Sequence, residues 1–243
     1  IAVCSADDFW QNPGKLQMQV DFLEKNADYG LVHTDTDVLC EDLNLLIKSR
    51  NKKRQPQMPN GNVFEELLAG KFYITTVTAC FRKQCFIDYV DADEFVKHGI
   101  NYEDISSWLE ISRHTKFKYI DESTSTYRIL SNSIAHNPDR NKRNKIIQDQ
   151  YNIKQFFIRK YNASSDIVAE NEIKYNIRKF NLAFLYKDYN EALLYYNFLK
   201  DKNGLTRKMR VKKTLLQYPV LYKMAETFQK LFRPASAINE MSI

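Results

Sequence analysis

Apolar residues recur in two different rhythms along this chain, and the change of rhythm near residue 140 limits the possible folds more than any single motif does. Ahead of it, short β-branched runs alternate with helical spacings. Ile1-Ala2-Val3-Cys4 reads as a buried strand. After the turn signal Asn12-Pro13-Gly14, Leu16, Val20 and Leu23 repeat at helical spacing and predict a helix from about Lys15 to Asn26, ended by Asp28-Tyr29-Gly30. Leu31-Val32-His33-Thr34 predicts a second strand. The polar, basic stretch from Glu41 to Gly61, with Lys52-Lys53-Arg54, Pro56 and Pro59, predicts a mobile surface loop. Val63 to Ala69 forms a short helical pattern, and Ile74 to Phe81 is β-branched enough for a strand. Ile105, Trp108, Leu109 and Ser112 share one helical face ahead of two short β segments, Phe117 to Ile120 and Thr124 to Ile129. Such alternation is the signature of an α/β fold. From Arg140 onward the spacing is that of long helices, so the expected division is an α/β domain over 1–139 and an all-helical region over 140–243.

Composition sets the outer bounds. With 243 residues, 44% hydrophobic and 13% aromatic, the chain can bury one large core or two ordinary ones, which excludes a disordered tail or a collagen-like rod. A negative mean hydropathy, and no run near the roughly 18 to 20 apolar residues of a membrane span, predict a soluble or membrane-peripheral protein. Cys4, Cys40, Cys80 and Cys85 lack CxxC spacing, so reduced thiols in a cytoplasmic protein are expected. Because Ile1 to Cys4 reads as a strand already under way, the chain is expected to begin inside a larger domain. The net charge of +6 conceals a division: residues 1–139 hold 15 Lys+Arg against 21 Asp+Glu, and residues 140–243 hold 21 against 9. Different tasks are expected for the two parts.

Chemically the densest stretch is Cys4-Ser5-Ala6-Asp7-Asp8-Phe9-Trp10, which sets two adjacent carboxylates where an apolar strand gives way to a loop. Hard divalent cations take oxygen ligands, and Mg²⁺ is commonly held by one or two carboxylates with phosphates and water completing its shell. The pair reads as a phosphate and metal seat or, on the pattern alone, as a solvated turn or helix cap. No Ser/His/Asp arrangement, P-loop or Rossmann glycine string is present, and the chain has only six glycines.

In the order and spacing of its pieces, Ile1 to Asp37 resembles the middle of the family 2 glycosyltransferases. The pieces are a strand like Ile1-Ala2-Val3-Cys4, an acidic motif like Ser5-Ala6-Asp7-Asp8 and an aromatic pair like Phe9-Trp10. A helix patterned like Lys15-Leu16-Gln17-Met18-Gln19-Val20-Asp21-Phe22-Leu23-Glu24 follows, then a strand like Tyr29-Gly30-Leu31-Val32-His33-Thr34-Asp35. The resemblance implies a partial GT-A-like domain, of the Rossmann-like nucleotide-diphospho-sugar transferase type, that transfers a sugar from a nucleotide diphosphate sugar with Mn²⁺ or Mg²⁺. Carried over by position, Asp8 is implied as the metal ligand, and Asp7 as the residue that faces the donor's ribose or shares the metal. Ser5 stands where the family usually has a further acid. Asp35-Thr36-Asp37 and Asp91-Ala92-Asp93 lie off the family's position and are expected to be surface turns.

A second match, Asn101-Tyr102-Glu103-Asp104-Ile105-Ser106-Ser107-Trp108-Leu109, looks like the family's Glu-Asp motif at the start of the acceptor-side helix. A sugar hydroxyl is a poor nucleophile until a positioned carboxylate takes its proton, so Asp104 is implied as the base, with Glu103 beside it. Without the resemblance, both are helix N-terminal acids that favour the macrodipole. The implied outcome is inversion, with the metal on Asp8 neutralising charge on the departing diphosphate. Trp10 is either a stacking surface for a sugar or a core or rim aromatic. A third segment, Ser125-Thr126-Tyr127-Arg128-Ile129-Leu130-Ser131-Asn132-Ser133-Ile134, resembles the family's closing Tyr-Arg segment, with Leu130 where a His commonly stands and His136 out of register. His33, His98 and His114 read as structural or surface residues. The resemblance covers residues 1–135 and omits the family's nucleotide-binding first half. The expectation is therefore an inactive fragment of a transferase of polysaccharide biosynthesis, with a saccharide or lipid-linked acceptor.

The basic region carries its own expectations. Arg207-Lys208-Met209-Arg210-Val211-Lys212-Lys213 precedes Tyr218-Pro219 and a helical pattern with Val220, Met224, Phe228, Leu231 and Phe232. A basic amphipathic helix of this kind suits peripheral contact with the inner face of an anionic membrane; the alternative is that its apolar side packs on the domain. Phe180 to Leu193 resembles one tetratricopeptide-type hairpin, with Ala183 and Ala192 at a close helix contact. It reads as a plain helical hairpin or, in the rival functional reading, as a noncatalytic helical protein-interaction module. Nucleic acid is not an expected partner, because no recognition motif accompanies the basic segment.

Overall fold

In a computed structural model, which describes residues 1–130, 139–218, 220–222 and 224, the two-residue strand β1 (Phe9–Trp10) precedes α1 (Lys15–Lys25) and the long β2 (Tyr29–Cys40). Past a 3-10 turn come β3 (Leu45–Ile47), α2 (Arg50–Arg54), α3 (Phe64–Leu68), a second 3-10 turn at Thr76–Thr78, and β4 (Cys80–Phe81). Then α4 (Lys83–Tyr89), α5 (Ala92–Lys97) and α6 (Glu103–His114) lead into β5 (Lys116–Ile129). The later elements are α7 (Arg140–Lys160), α8 (Ser165–Leu185), α9 (Tyr189–Asp201) and α10 (Arg207–Gln217). The fold is thus mixed α/β with several C-terminal helices. No helix among the described residues is long and apolar enough to cross a membrane.

The chain divides into two compact units, Ile1–Leu130 with Ile153–Ala163, and the described residues of Ser131–Asn152 with Ser164–Ile243. The expected division at 139/140 leaves all of α7 in the helical region, whereas residues 153–163 pack with the α/β unit, where Phe95 meets Phe157 edge to face. Within the first unit β2 and β5 run parallel, in register from Tyr29 opposite Lys116 to Cys40 opposite Ile129, with irregularities around Asp35 that curl the sheet. β1 lies antiparallel on the far side of β5. The other edge of β2 is shared, antiparallel, by β4 at its start and β3 at its end.

Four expectations need correction. Ile1 to Cys4 is not a buried strand: it makes a single bridge, Ala2 to Cys80, and Ile1 is half-exposed, because only the two-residue β4 lies alongside it. Ile74 to Phe81 shrinks to β4, since the carbonyl of Thr75 accepts both the N–H (2.9 Å) and the hydroxyl (2.6 Å) of Thr78 and winds the segment into a 3-10 turn. The stretch from Glu41 to Gly61 is no simple loop but contains β3 and α2. The two short β segments after α6 are one strand.

Packing of α1 reverses its apparent polarity. Leu16 and Val20 are exposed, while Lys15, Gln19 and Leu23 are buried. The Gln19 amide donates to the carbonyls of Val32 (3.0 Å) and Thr78 (2.8 Å) and accepts from Lys15 Nζ (2.7 Å), so the polar stripe is satisfied inside the unit. At the other end the Arg82 guanidinium donates to the carbonyls of Leu23, in the last turn of α1, of Asn26, just past it, and of Tyr29, at the start of β2, and so ties the end of the helix to the strand that follows. Gly30 is obligatory for a steric reason, because a Cβ there would lie 2.2 Å from Thr115 Oγ1. In the second unit α8 and α9, joined through Lys187 at positive φ and capped by Asp188, meet at Ala183 and Ala192 over a core of Phe180, Leu199 and Met209.

His33 is fully buried between the rings of Phe72 and Tyr119, and neither ring nitrogen has a hydrogen-bond partner. Burial lowers its pKa to about 3, against 6.5 unperturbed. A depressed histidine binds fewer protons folded than unfolded, so it costs stability as pH falls below 6.5 and continues to do so until pH reaches about 3. We expect urea denaturation of the wild type to lose on the order of 2 kcal/mol from this group between pH 7 and 5, and His33→Phe to flatten that slope whatever it does to absolute stability. Arg82→Ala should cost roughly 1–3 kcal/mol at neutral pH by the same assay, through the charged hydrogen bonds to three backbone carbonyls that it removes.

Candidate functional site

Pairing of β1 with β5 positions the acidic turn. Phe9 stands opposite Thr126 and Trp10 opposite Ser125, so the residues just before β1 run beside Tyr127 and Arg128. The Asp8 N–H bonds the Ser5 carbonyl at 3.1 Å and closes a turn over Ala6 and Asp7. Asp8 Oδ1 accepts the Arg128 N–H at 3.0 Å. Burial pushes the Asp8 carboxyl up to about 6; the Arg128 N–H opposes this, and the neighbouring Asp7 charge adds to it.

Asp104 begins α6. Its Oδ1 accepts the Ile105 N–H at 2.7 Å and its Oδ2 the Thr76 hydroxyl at 2.9 Å, so the carboxylate has one orientation set by two donors. Tyr127, reached from β5, links the two acidic motifs. Its phenol is raised above its ordinary pKa by burial first and then by the charge of Asp8, with Asp7 and Asp104 acting the same way and Arg50 opposing them. Tyr73 is half-exposed overall, but enclosure around its hydroxyl end raises its phenol likewise, with the charges of Asp104 and Tyr127 adding to the shift. Burial works against the charge of Arg50, in the first turn of α2, yet a guanidinium keeps its proton in any protein setting. Asp7, Asp8 and Asp104 therefore share one electrostatic neighbourhood with Tyr127, and Arg50 supplies a cation to it.

The remaining expected site residues are placed as follows. Glu103 is exposed at the start of α6. Trp10 is partly buried; its indole N–H donates to the Val77 carbonyl at 3.1 Å and the Lys15 ammonium lies 4.7 Å from its ring centroid, so both its polar edge and one face are engaged inside the unit. Asp35 and Asp37, expected in a surface turn, are instead buried within β2. Asp35 accepts the N–H groups of Thr36, Asn51 and Lys52 and so caps α2. Although burial raises its pKa, Asp37 is held below the usual carboxylate range by hydrogen bonds from Ser123, Ser49 and Gln11 and by the Lys48 charge. Asp91 does lie at the surface, as the N-cap of α5. Ser131 to Ile134 and His136 lie outside the described residues.

Sequence reasoning missed Arg50, Tyr73 and Thr76. Arg50 sat in the stretch read as a loop, Tyr73 carried no motif, and Thr76 belonged to an expected strand; nothing in their local pattern points to Asp104. Among the described residues no three His, Cys, Asp or Glu converge as a metal group, so an all-protein cage for a cation does not fit. Asp7 and Asp8, adjacent in the turn before β1, are the carboxylates that could contribute to a Mg²⁺ or Mn²⁺ ion taking its other ligands from phosphate and water.

A scan against protein-family models gives no match to this chain, and a search of curated proteins gives no significant match.

The buried and the exposed Asp-x-Asp strings should behave differently. Asp35→Ala strands two N–H groups of α2 and is expected to lower stability by about 1–3 kcal/mol in urea denaturation, whereas Asp93→Ala, at an exposed helix position, should stay within about 0.5 kcal/mol of wild type.

Proposed function

We propose that the first unit carries the metal and acceptor side of an inverting glycosyltransferase site on a GT-A-like fold. One observation supports this reading above the others: carboxylates far apart in sequence, Asp7 and Asp8 before β1 and Asp104 in the first turn of α6, all act on the Tyr127 phenol, and the charge of Arg50 opposes them there. The substrates of such a site are a nucleotide diphosphate sugar and a saccharide or lipid-linked acceptor hydroxyl.

In this reading Asp104 is the general base. Thr76 and the Ile105 N–H hold its carboxylate in place, and it takes the proton of the acceptor hydroxyl as that oxygen bonds to the anomeric carbon. The bond from this carbon to the nucleoside diphosphate breaks on the opposite face, the diphosphate leaves with the electron pair, and the configuration inverts. Asp7 and Asp8 would hold Mn²⁺ or Mg²⁺, whose charge supplies electrostatic stabilisation of the diphosphate. Arg50 adds a permanent positive charge at the same place. Glu103, exposed beside the base, is available to acceptor hydroxyls.

The test is release of nucleoside diphosphate from a panel of nucleotide sugars by the natural protein in its entirety, with Mn²⁺ varied. Asp104→Asn should lower turnover roughly 10²- to 10⁴-fold while leaving Mn²⁺ affinity intact. Asp8→Ala should lose Mn²⁺ binding and turnover together. Turnover indifferent to both changes would sink the reading.

A further inference from the structure

α10 and the residues after it carry two distinct apolar sets, and the second unit uses only one of them. Met209 and Leu216 turn inward onto Phe180, Ala183, Ala192 and Leu199. On the outward side Val211 is 54% exposed and Tyr218 57%, and beyond them Val220, Leu221 and Met224 are 71%, 46% and 64% exposed. Helical spacing sets Arg207, Val211, Thr214 and Tyr218 along one line, with Lys208 and Arg210 to either side. Of the apolar pattern read in the sequence after Pro219, Val220 and Met224 are exposed, and Phe228, Leu231 and Phe232 lie outside the described residues.

Charge identifies what the outward set faces. Residues 205–224 contain six Lys or Arg and no Asp or Glu. Lys212 reaches Asn181 at 3.0 Å and lies over the Phe184 ring, and Lys213 lies over Tyr196. Arg207, Lys208 and Arg210, by contrast, are exposed and engage no partner among the described residues. A second copy of the same face would set cations against cations. Nucleic acid would meet the cations but leave four aliphatic side chains without a partner, since its single-strand platforms are aromatic. A surface that is anionic at its rim and apolar just beneath matches both features.

We propose that this face docks on an anionic lipid bilayer, with Arg207, Lys208 and Arg210 among the headgroup phosphates and Val211, Tyr218, Val220, Leu221 and Met224 entering the boundary with the acyl chains. The proposal stands apart from the transferase reading, because no residue of the acidic site takes part.

Cosedimentation of the full chain with vesicles tests it, using phosphatidylcholine alone and phosphatidylcholine with about a third phosphatidylglycerol. Binding is expected to the anionic vesicles only, and to weaken steeply with salt. Each basic residue near such a surface contributes about a fivefold factor, so the triple variant Arg207→Gln/Lys208→Gln/Arg210→Gln should bind on the order of a hundredfold more weakly. Val211→Ser/Leu221→Ser/Met224→Ser should also weaken binding at least tenfold. All six positions are exposed, so both variants should keep the wild-type melting temperature. Equal binding to both vesicle types, anionic binding unchanged in either variant, or capture of an acidic protein or nucleic acid by a chain that ignores anionic vesicles would overturn the proposal.

Discussion

Parallel strands cannot be joined by a tight turn, and the pairing of β2 with β5 therefore imposes the long crossover from Glu41 to Thr115 that carries α2 to α6. That crossover must return so that Lys116 lies opposite Tyr29, which brings Thr115 against the backbone of Gly30 and leaves no room for a side chain there. The same pairing leaves the far edge of β5 free for β1. Through β1 the Asp7-Asp8 turn is anchored beside Tyr127 and Arg128, and the start of α6 supplies Asp104 to the same neighbourhood. Each carboxylate of the acidic site is thus placed, directly or at one remove, by one ladder of backbone hydrogen bonds.

The interior around that ladder is unusually polar. His33, Thr34, Asp35, Thr36 and Asp37 form an unbroken buried run in β2, and Lys15 and Gln19 face it from α1. Burying an unpaired carboxylate or amide costs several kcal/mol, so such a run persists only where nearly every group is satisfied. Asp35 takes three N–H groups, Asp37 is bonded by Ser49, Ser123 and Gln11, and Thr34 pairs with Thr124 at 2.7 Å. His33 is the exception, and it avoids the penalty of charge by remaining neutral. These bonds tie α2 and β1 to the sheet, so the polar core gives the acidic site rigid neighbours.

The two units differ in the electrostatics they offer. The first sets the carboxylates of Asp7, Asp8 and Asp104 in one neighbourhood with the partly buried Arg50. The second pairs several of its acids with cations, as where Arg140 joins Asp188 and Glu191, and exposes Arg207, Lys208 and Arg210 on α10. A polyanion that meets this chain is attracted by the second unit and repelled by most of the first.

Periodicity and local chemistry in the sequence determined the α/β to all-helical order, the helices α1, α3 and α6, the hairpin contact at Ala183 and Ala192, and the acidic motifs as motifs. These are legible because helix spacing, turn residues and small residues act within a few positions of one another. Which face of α1 is buried, the shortness of the first strand, the capping duty of Asp35, the entry of Arg50 and Thr76 into the acidic neighbourhood, and the return of residues 153–163 to the first unit were decided by tertiary structure alone. Each depends on a partner distant in sequence: Gln19 on Thr78, Asp35 on Asn51, Thr76 on Asp104. A buried polar residue gives no local sign of the group that will satisfy it, so only the folded ladder reveals whether it is a surface turn or part of the core.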